Sequence, residues 1–306
     1  DTFNHRIRIV DAATGTISTA VGTGEMTFRG DGGPATFAKL NVPHGVSADE
    51  NGNVLIADTL NHRIREVSMQ TGIIATIAGS GKAGYSGDGG PAEVAGLNFP
   101  CGATTDKSGN VLIADTSNNR IRKVDRDTGS ITTIAGTGIG GFGGDGGPAT
   151  SALLSLPHGL VVDGDGNLLI ADELNHRIRK VDGQSGIITT IAGTGEYGFG
   201  GDGGPATDAK LASPAGLAVD AAGDVLIADK DNHRIRKVDV RNGTVTTIAS
   251  SFALMRNRAP PPAREVRKAW ASLARRRPSD SPELGLDVTL GLDQDVDEGA
   301  VVIVLR

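Results

Sequence analysis

Two histidines and the single cysteine of the chain share one position of a repeated Pro-x-Gly phrase. The x residues are His44, Cys101 and His158, each 57 residues from the next, and a fourth copy of the phrase carries Ala215. Imidazole and thiolate are donors that zinc prefers, and three protein ligands leave one position open for water or substrate. The residue types therefore make a candidate zinc site if the fold brings this position of successive repeats to one point. The alternative is that x is a half-exposed position of loose identity.

Other residues that could bind a ligand lie in glycine-rich loops. An aspartate recurs in the phrase Gly-Asp-Gly-Gly-Pro-Ala, at Asp31, Asp88, Asp145 and Asp202. Aromatic residues recur in the same loops, at Phe28, Tyr85, Phe142 and Phe199, with Tyr197 close to the last. The aspartates either cap backbone N–H groups or bind calcium. The aromatic rings either anchor the loops or contact a ligand, so both sets form a candidate ligand face.

Several classes of site are excluded by the motifs. Three Gly-x-Gly-x-x-Gly phrases, beginning at Gly79, Gly136 and Gly193, match a dinucleotide fingerprint. None of them opens directly into a helix, and one protein does not need three copies, so they are interpreted as turns. No Ser-His-Asp arrangement is evident, and no catalytic residue is assigned.

The composition limits the class of partner. The 306 residues have a formal net charge of −6, so no nucleic-acid partner is expected. A single cysteine excludes an internal disulfide. No apolar run approaches the roughly 18 residues that a membrane span needs.

A strict period organises these residues. The phrase Asn-His-Arg-Ile-Arg begins at Asn4, Asn61, Asn118, Asn175 and Asn232, with Asn119 in place of one histidine. Within one repeat, four short apolar runs fall at 159–163, 167–172, 177–182 and 187–192, bounded by Gly, Asp or Asn. Four short antiparallel strands in about 40 residues are typical of one blade of a β-propeller. The fold is therefore predicted to be all-β, with four complete blades and a fifth, composite one.

The boundaries of the propeller follow from where the repeat stops. Residues 1–249 are predicted to form the propeller, and 250–284 a Pro-rich spacer with a basic helix. Residues 285–306 are a strand-like tail, which we expect to complete the ring beside residues 5–10. An open ring and a ring of six blades are the alternatives.

Strand direction assigns roles to the repeated residues. It places the Pro-x-Gly slots, the Asn-His-Arg loops and the Gly-Asp-Gly-Gly-Pro loops on one face, here called the loop face. Because a blade packs on both sides, the repeated Asp and the first Arg are expected to pair between blades, at Asp58, Asp115, Asp172 and Asp229 with Arg63, Arg120, Arg177 and Arg234. The repeated histidines are expected to be structural, since Asn119 replaces one without breaking the phrase.

The motifs resemble a known family. The phrases Pro-x-Gly-[Leu/Val]-x-x-Asp, Leu-Ile-Ala-Asp and Asn-His-Arg-Ile-Arg are similar to those of NHL-repeat propellers, and the Gly-Asp-Gly-Gly-Pro-Ala form resembles bacterial NHL proteins and the teneurin NHL propeller. This resemblance implies a binding scaffold that presents the loop face to a protein, peptide or glycan, and it favours an extracellular or periplasmic location. The protein is expected to be a monomer. It implies no cofactor as a rule, with zinc or calcium as the alternatives.

A second resemblance implies an enzyme instead. The lyase propeller of peptidylglycine-amidating enzymes uses histidines of Pro-His-x segments to hold a metal. His44 and His158 match that motif, whereas Cys101 and Ala215 do not. The alternative function is therefore a metal-dependent lyase or hydrolase at the mouth of the central channel.

Overall fold

The chain folds into antiparallel blades that follow the 57-residue period. The computed structural model describes residues 1–250, so the predicted spacer, basic helix and closing tail lie outside the described residues. A two-stranded sheet of β1 (Ile7–Val10) and β2 (Ile17–Val21) precedes four sheets of four strands each. The four blades are β3 (Pro43–Ala48), β4 (Val54–Asp58), β5 (Arg63–Val67), β6 (Ile74–Ala78); β7 (Gly102–Thr105), β8 (Val111–Asp115), β9 (Arg120–Val124), β10 (Ile131–Ala135); β11 (Pro157–Val162), β12 (Leu168–Asp172), β13 (Arg177–Val181), β14 (Ile188–Ala192); and β15 (Pro214–Val219), β16 (Val225–Asp229), β17 (Arg234–Val238), β18 (Val245–Ser250).

The prediction of an all-β propeller with four complete blades is confirmed. Strands β1 and β2 correspond to the two outer strands of a further blade, because Arg8 stands 57 residues before Arg65. The strands predicted to complete that blade fall outside the described residues. Among residues 1–250, the helices are single 3-10 turns, and none is long and apolar enough to span a membrane.

The hydrophobic core lies between blades. Between the first two blades, Leu55 and Ile64 of one sheet meet Ile113 and Ile131 of the next, all fully buried. The same layer recurs between the later blades. Because both faces of a blade are covered, the second strand reads as a continuous apolar run, such as Val-Leu-Ile-Ala, rather than as an alternation.

The long linker between blades contributes both to the core between blades and to the outer edge of the next sheet. Its 3-10 turn at Ala92–Val94 leads to Ala95 and Leu97, which are buried in the layer between the first two blades. The linker backbone also pairs with the outer strand of the second blade, where the Gly89 N–H donates to the Ile131 carbonyl at 2.7 Å. The linker thus packs between diverging blades and covers an edge strand that would otherwise expose unpaired N–H and C=O groups.

The prediction that the first arginine of each Asn-His-Arg-Ile-Arg phrase pairs with the repeated aspartate was wrong. The aspartates are fully buried, but their ionic partner is the second arginine of the phrase. Arg179 contacts Asp172 at 3.1 Å and Asp145 of the preceding linker at 2.7 Å. The same pairing recurs at Arg65, Arg122 and Arg236.

The first arginine of the phrase instead binds backbone carbonyls. Arg177 lies at the start of its strand, directly opposite Asp172, and its guanidinium turns to the Gly193 carbonyl at 2.9 Å and to the Thr194 carbonyl. Its counterparts also donate to loop carbonyls, at Arg63, Arg120 and Arg234. The second arginine lies two residues further into the strand, where the linker aspartate reaches it.

Candidate metal centre

The three candidate ligands meet at one point of the loop face. His44, Cys101 and His158 come from the innermost strands of three consecutive blades or the residue just before them, and their possible ligand atoms all lie within 4.8 Å of one another. The rings of His44 and His158 approach edge to face, with centroids 5.7 Å apart. Two side chains from non-adjacent blades therefore reach across the channel mouth beside the thiol of the blade between them.

Glycines explain how residues of separate blades come so close. A Cβ atom on Gly45 would lie 2.4 Å from the Cys101 carbonyl oxygen, and one on Gly102 would lie 2.4 Å from the His158 carbonyl oxygen. Real Cβ atoms do not approach this closely, so the glycine after x lets adjacent inner strands touch backbone to backbone. The channel is narrow at this level as a result.

Hydrogen bonds between blades hold each Pro-x-Gly segment. The Thr59 hydroxyl donates to the Pro100 carbonyl at 2.8 Å, and the Thr116 hydroxyl donates to the Pro157 carbonyl at 2.8 Å. Both threonines are buried. Each hydroxyl thus ties one blade to the residue that precedes a candidate ligand in the next blade.

The repeated histidines have the structural role that was expected. The Phe99 N–H donates to His62 Nδ1 at 3.2 Å, and the Leu156 N–H donates to Asn119 Oδ1 at 2.9 Å. His62 and Asn119 have φ values of 52° and 51°, in the left-handed region that asparagine tolerates better than most residues. Asparagine can therefore replace histidine here because it offers an acceptor in the same backbone conformation.

Burial sets the protonation of the three candidate ligands. Burial raises the pKa of the Cys101 thiol to about 11, and the thiol donates to the Phe99 carbonyl at 3.4 Å. Burial, together with the smaller effects of the His44 and Lys230 charges, lowers the pKa of His158 to about 4. Burial and then Lys230 also lower the pKa of His44. At neutral pH both imidazoles are free to donate a lone pair, while the thiol must lose its proton to ligate.

The donor set suits zinc. Tetrahedral zinc with nitrogen at about 2.0–2.1 Å and sulfur at about 2.3 Å places its donors roughly 3.5 Å apart. Donors within 4.8 Å therefore need to move inward by about 1 Å, which side-chain rotation can supply. Soft thiolate and imidazole together favour zinc over magnesium or calcium.

A glutamate and a lysine border the fourth side of this site, and the sequence analysis gave them no chemical role. Glu173 and Lys230 occupy the position that Thr59 and Thr116 hold in the first two blades, and Ala215 fills the ligand slot between them. The Glu173 side chain is 14% exposed, and its Oε1 lies 3.6 Å from Lys230 Nζ. Burial raises the pKa of Glu173, although Lys230 opposes the shift. The sequence does mark this pair: the repeat position that holds Thr in two blades holds Glu and Lys in the two blades nearest the Ala215 position.

The residues of the predicted ligand face are engaged within the protein. The ring of Phe142 lies 3.9 Å from the Arg177 guanidinium carbon and 5.0 Å from that of Arg179. Asp145 Oδ1 binds Arg179, and its Oδ2 accepts from Thr190. Equivalent arginine contacts recur at Tyr85, Phe199, Asp88 and Asp202. These side chains anchor the loops, while Tyr197 is 63% exposed beside His176.

Comparison with known proteins identifies the repeat. The model of the NHL repeat matches residues 40–66 and 154–181, and the model of the teneurin NHL domain matches residues 195–268. The chain belongs to the NHL-repeat family. Its predicted resemblance to NHL-repeat propellers is thereby confirmed, including the likeness to teneurins.

The curated relatives of this NHL propeller are much longer proteins. It is 31% identical over 252 residues to the protein SUPPRESSOR OF QUENCHING 1, chloroplastic, of Arabidopsis thaliana, covering 79% of this chain and 24% of the relative. It is 30% identical over 276 residues to NHL repeat-containing protein 2 of Bos taurus, covering 80% and 38%. Against Teneurin-1 of Mus musculus it is 29% identical over 237 residues, covering 70% and 8%. The chain thus spans less than two-fifths of each of these relatives.

Solved structures share the fold of this NHL propeller at low identity. A chain of the nidogen/laminin complex superposes with a TM-score of 0.55 and 17% identity, covering 81% of this chain and 76% of that one. The gluconolactonase XC5397 of Xanthomonas campestris gives a TM-score of 0.54 and 13% identity, covering 82% and 71%. At these identities the likeness describes the propeller architecture alone.

Proposed function

We propose that this NHL propeller binds one zinc ion at its channel mouth through His44, Cys101 and His158, and that the centre serves lyase or hydrolase chemistry. The observation that carries the proposal is the convergence of the three donors within 4.8 Å, from three separate blades. The fold does not require a donor side chain at this position, since Ala215 fills the fourth slot. Two imidazoles and a thiol facing one point are the donor set of a zinc centre with an open position.

The surrounding residues suit such chemistry. A zinc ion held by three protein ligands supplies Lewis acidity and lowers the pKa of a bound water. Glu173, half-buried at the mouth with a raised pKa, would hold or accept a proton there. Ala215 has the smallest side chain of the four Pro-x-Gly positions, so we expect a substrate to enter on its side of the mouth.

Metal content of the purified protein tests this proposal. We expect about one zinc per chain after purification without chelator, or after addition of zinc and desalting. His44→Ala should lose the metal, with a fall in affinity larger than the roughly 10–100-fold that loss of an outer partner costs. His62→Asn is the matched control, because the structure already uses an asparagine at the equivalent Asn119, and it should retain zinc. A wild-type protein that remains metal-free after zinc addition would overturn the proposal.

A scaffold function is the second candidate, and exposed apolar loop residues favour it. Met26, Ile139 and Tyr197 are 64%, 67% and 63% exposed, in linkers of three different blades. The arginine–ring contacts beneath these linkers keep the loop face in one conformation, which lowers the entropy cost of binding a protein, peptide or glycan. A metal-free result would leave this second function as the one that the geometry supports.

A further inference from the structure

Within residues 1–250 the channel mouth is asymmetric, because two of the four complete blades carry charged residues at a position that the other two fill with threonine. Thr59 and Thr116 are buried, and their hydroxyls are bonded to the next blade. Glu173 and Lys230 replace them in the third and fourth blades. These charged residues are next to the Ala215 slot, whereas the three metal donors occupy the slots of the first three blades.

Lys230 retains bonding capacity beside the metal donors. Its ammonium lies 3.6 Å from Glu173 Oε1, longer than a normal hydrogen bond, and its side chain is 54% exposed. Lys230 also lies close enough to the three donors to affect their protonation. Its charge contributes to the pKa shifts of His44, Cys101 and His158, although burial is the larger cause in each. The lysine therefore lies within electrostatic reach of all three donors, and about half of its side chain is exposed to solvent.

The charge balance of the loaded site calls for one further anion. The imidazoles are neutral, and the Cys101 thiolate offsets one of the two charges on zinc. The carboxylate of Glu173 offsets the ammonium of Lys230. One positive charge then remains, and a single carboxylate on a ligand would balance it, whereas a phosphate dianion would exceed it.

We propose that Lys230 determines substrate specificity by binding a carboxylate group, so that the channel mouth takes small carboxylate-bearing substrates at the open position of the metal. This inference rests on the proposed metal centre. Lys230 acts through its ammonium, which pairs with the anion while the adjacent atoms of the ligand face the metal.

Anion titration of the cobalt(II)-loaded protein tests this proposal. Cobalt(II) replaces zinc in such sites, and its visible absorption changes when a ligand enters the open position. We expect acetate to perturb the spectrum of the wild-type protein, and Lys230→Gln to raise the acetate Kd about tenfold, as loss of a charge-assisted hydrogen bond does. Lys230→Arg should retain acetate binding, and Lys180→Gln, which removes a lysine of the strand β13, should leave it unchanged. Acetamide, which is neutral, should bind equally weakly to all variants.

The possible results distinguish failure of the Lys230 role from failure of the metal centre. Equal acetate Kd values for the wild type and Lys230→Gln, with normal cobalt spectra, would overturn the role of Lys230 and leave the metal centre standing. Tighter and Lys230-dependent binding of inorganic phosphate would overturn the carboxylate class. Absence of a cobalt spectrum in the wild type would overturn the metal centre itself and this inference with it.

Discussion

At the scale of single residues, the largest fully buried side chains among residues 1–250 are the repeated arginines Arg65, Arg122, Arg179 and Arg236. Arg179 is fully buried and contacts one aspartate of its own blade and one of the linker before it. Its partner Asp172 is also fully buried, so removal of Arg179 leaves the Asp172 carboxylate without its ionic partner in the interior. Removal of Asp172 would leave Arg179 paired with Asp145 alone. Arg179 therefore connects the linker to the blade through Asp145, in addition to filling space in the core.

Replacement of the two arginines should have unequal effects. We expect Arg179→Ala to destabilise the protein by about 3–5 kcal/mol, the cost of breaking a buried ion pair. Arg177→Ala should cost only about 1–2 kcal/mol, because Arg177 is partly exposed and donates to uncharged backbone carbonyls rather than to a buried carboxylate. Urea denaturation followed by circular dichroism measures both values. Equal shifts would contradict the assignment of Arg179 as the ionic partner.

A pH dependence follows from the buried imidazole of His158. Its folded pKa of about 4 is below its ordinary value near 6.5, so protonation favours the unfolded state. The stability that this neutral histidine contributes is full above about pH 6.5 and is lost as the pH falls from there toward 4. The loss should reach about 2 kcal/mol by pH 5 in chelator-treated protein.

Thermal melts between pH 7.5 and 5 measure this contribution. His158→Asn should flatten the decline of Tm with falling pH relative to the wild type. Parallel slopes for the wild type and His158→Asn would show that this imidazole is not buried as the structure has it.

At the scale of elements, the inner strands and their glycines create the site. The Pro-x-Gly phrase begins each inner strand, and its glycine permits the contact between neighbouring backbones that narrows the channel. The threonine and histidine bonds then hold the segment in register. The candidate ligands converge because of these backbone contacts.

A methyl group on one inner glycine should open the mouth. Gly102→Ala places a Cβ 2.4 Å from the His158 carbonyl oxygen, which is too close, so adjacent inner strands must separate. We expect a loss of about 1–3 kcal/mol in stability, as for other overpacked sites, and a weaker affinity for zinc. Gly164→Ala is the control, since a Cβ there meets nothing within 4 Å and its backbone is not in the left-handed region. Unchanged zinc affinity in Gly102→Ala would contradict the role of the narrow channel.

Much of this element-level organisation could be predicted from the sequence. The 57-residue period and the alternation of apolar runs with glycine-rich turns predicted the four complete blades. The shared Pro-x-Gly position predicted that His44, Cys101 and His158 lie together. The choice between Arg177 and Arg179 could not be predicted, because both point from the same face of the strand. That choice depends on where the linker aspartate reaches, which is a property of packing between blades. The linkers themselves were predicted as loops, and their pairing with outer strands was missed because glycine-rich sequence carries no strand signal.

At the scale of the whole molecule, the first sheet differs from the other four. Strands β1 and β2 repeat the two outer strands of a blade, and Arg8 occupies the position of the buried arginines. Arg8 contacts Asp1 at 3.7 Å, and Ile9 and Ile17 are 37% and 52% exposed. Among the described residues, no inner strands continue this sheet. Within residues 1–250, the sheet therefore has an unpaired edge and an apolar face that a complete blade would bury.

Truncation tests whether the tail completes this blade. We propose that residues 286–304 pair beside β1, and we expect a chain that ends at Ser250 to melt at a lower temperature than the full chain or to self-associate, because an exposed strand edge promotes pairing between chains. Differential scanning calorimetry and light scattering on the two chains measure these properties. A truncated chain with the same Tm and a monomeric mass would show that the tail does not complete the blade.

The central claim is that two histidines and one cysteine from three blades hold one metal ion. X-ray absorption at the zinc edge, measured on the zinc-loaded full chain, tests it most directly. We predict two nitrogen scatterers at about 2.0–2.1 Å and one sulfur at about 2.3 Å, with the sulfur shell absent from Cys101→Ser. A zinc spectrum with no sulfur shell in the wild type, or one that Cys101→Ser leaves unchanged, would contradict the claim.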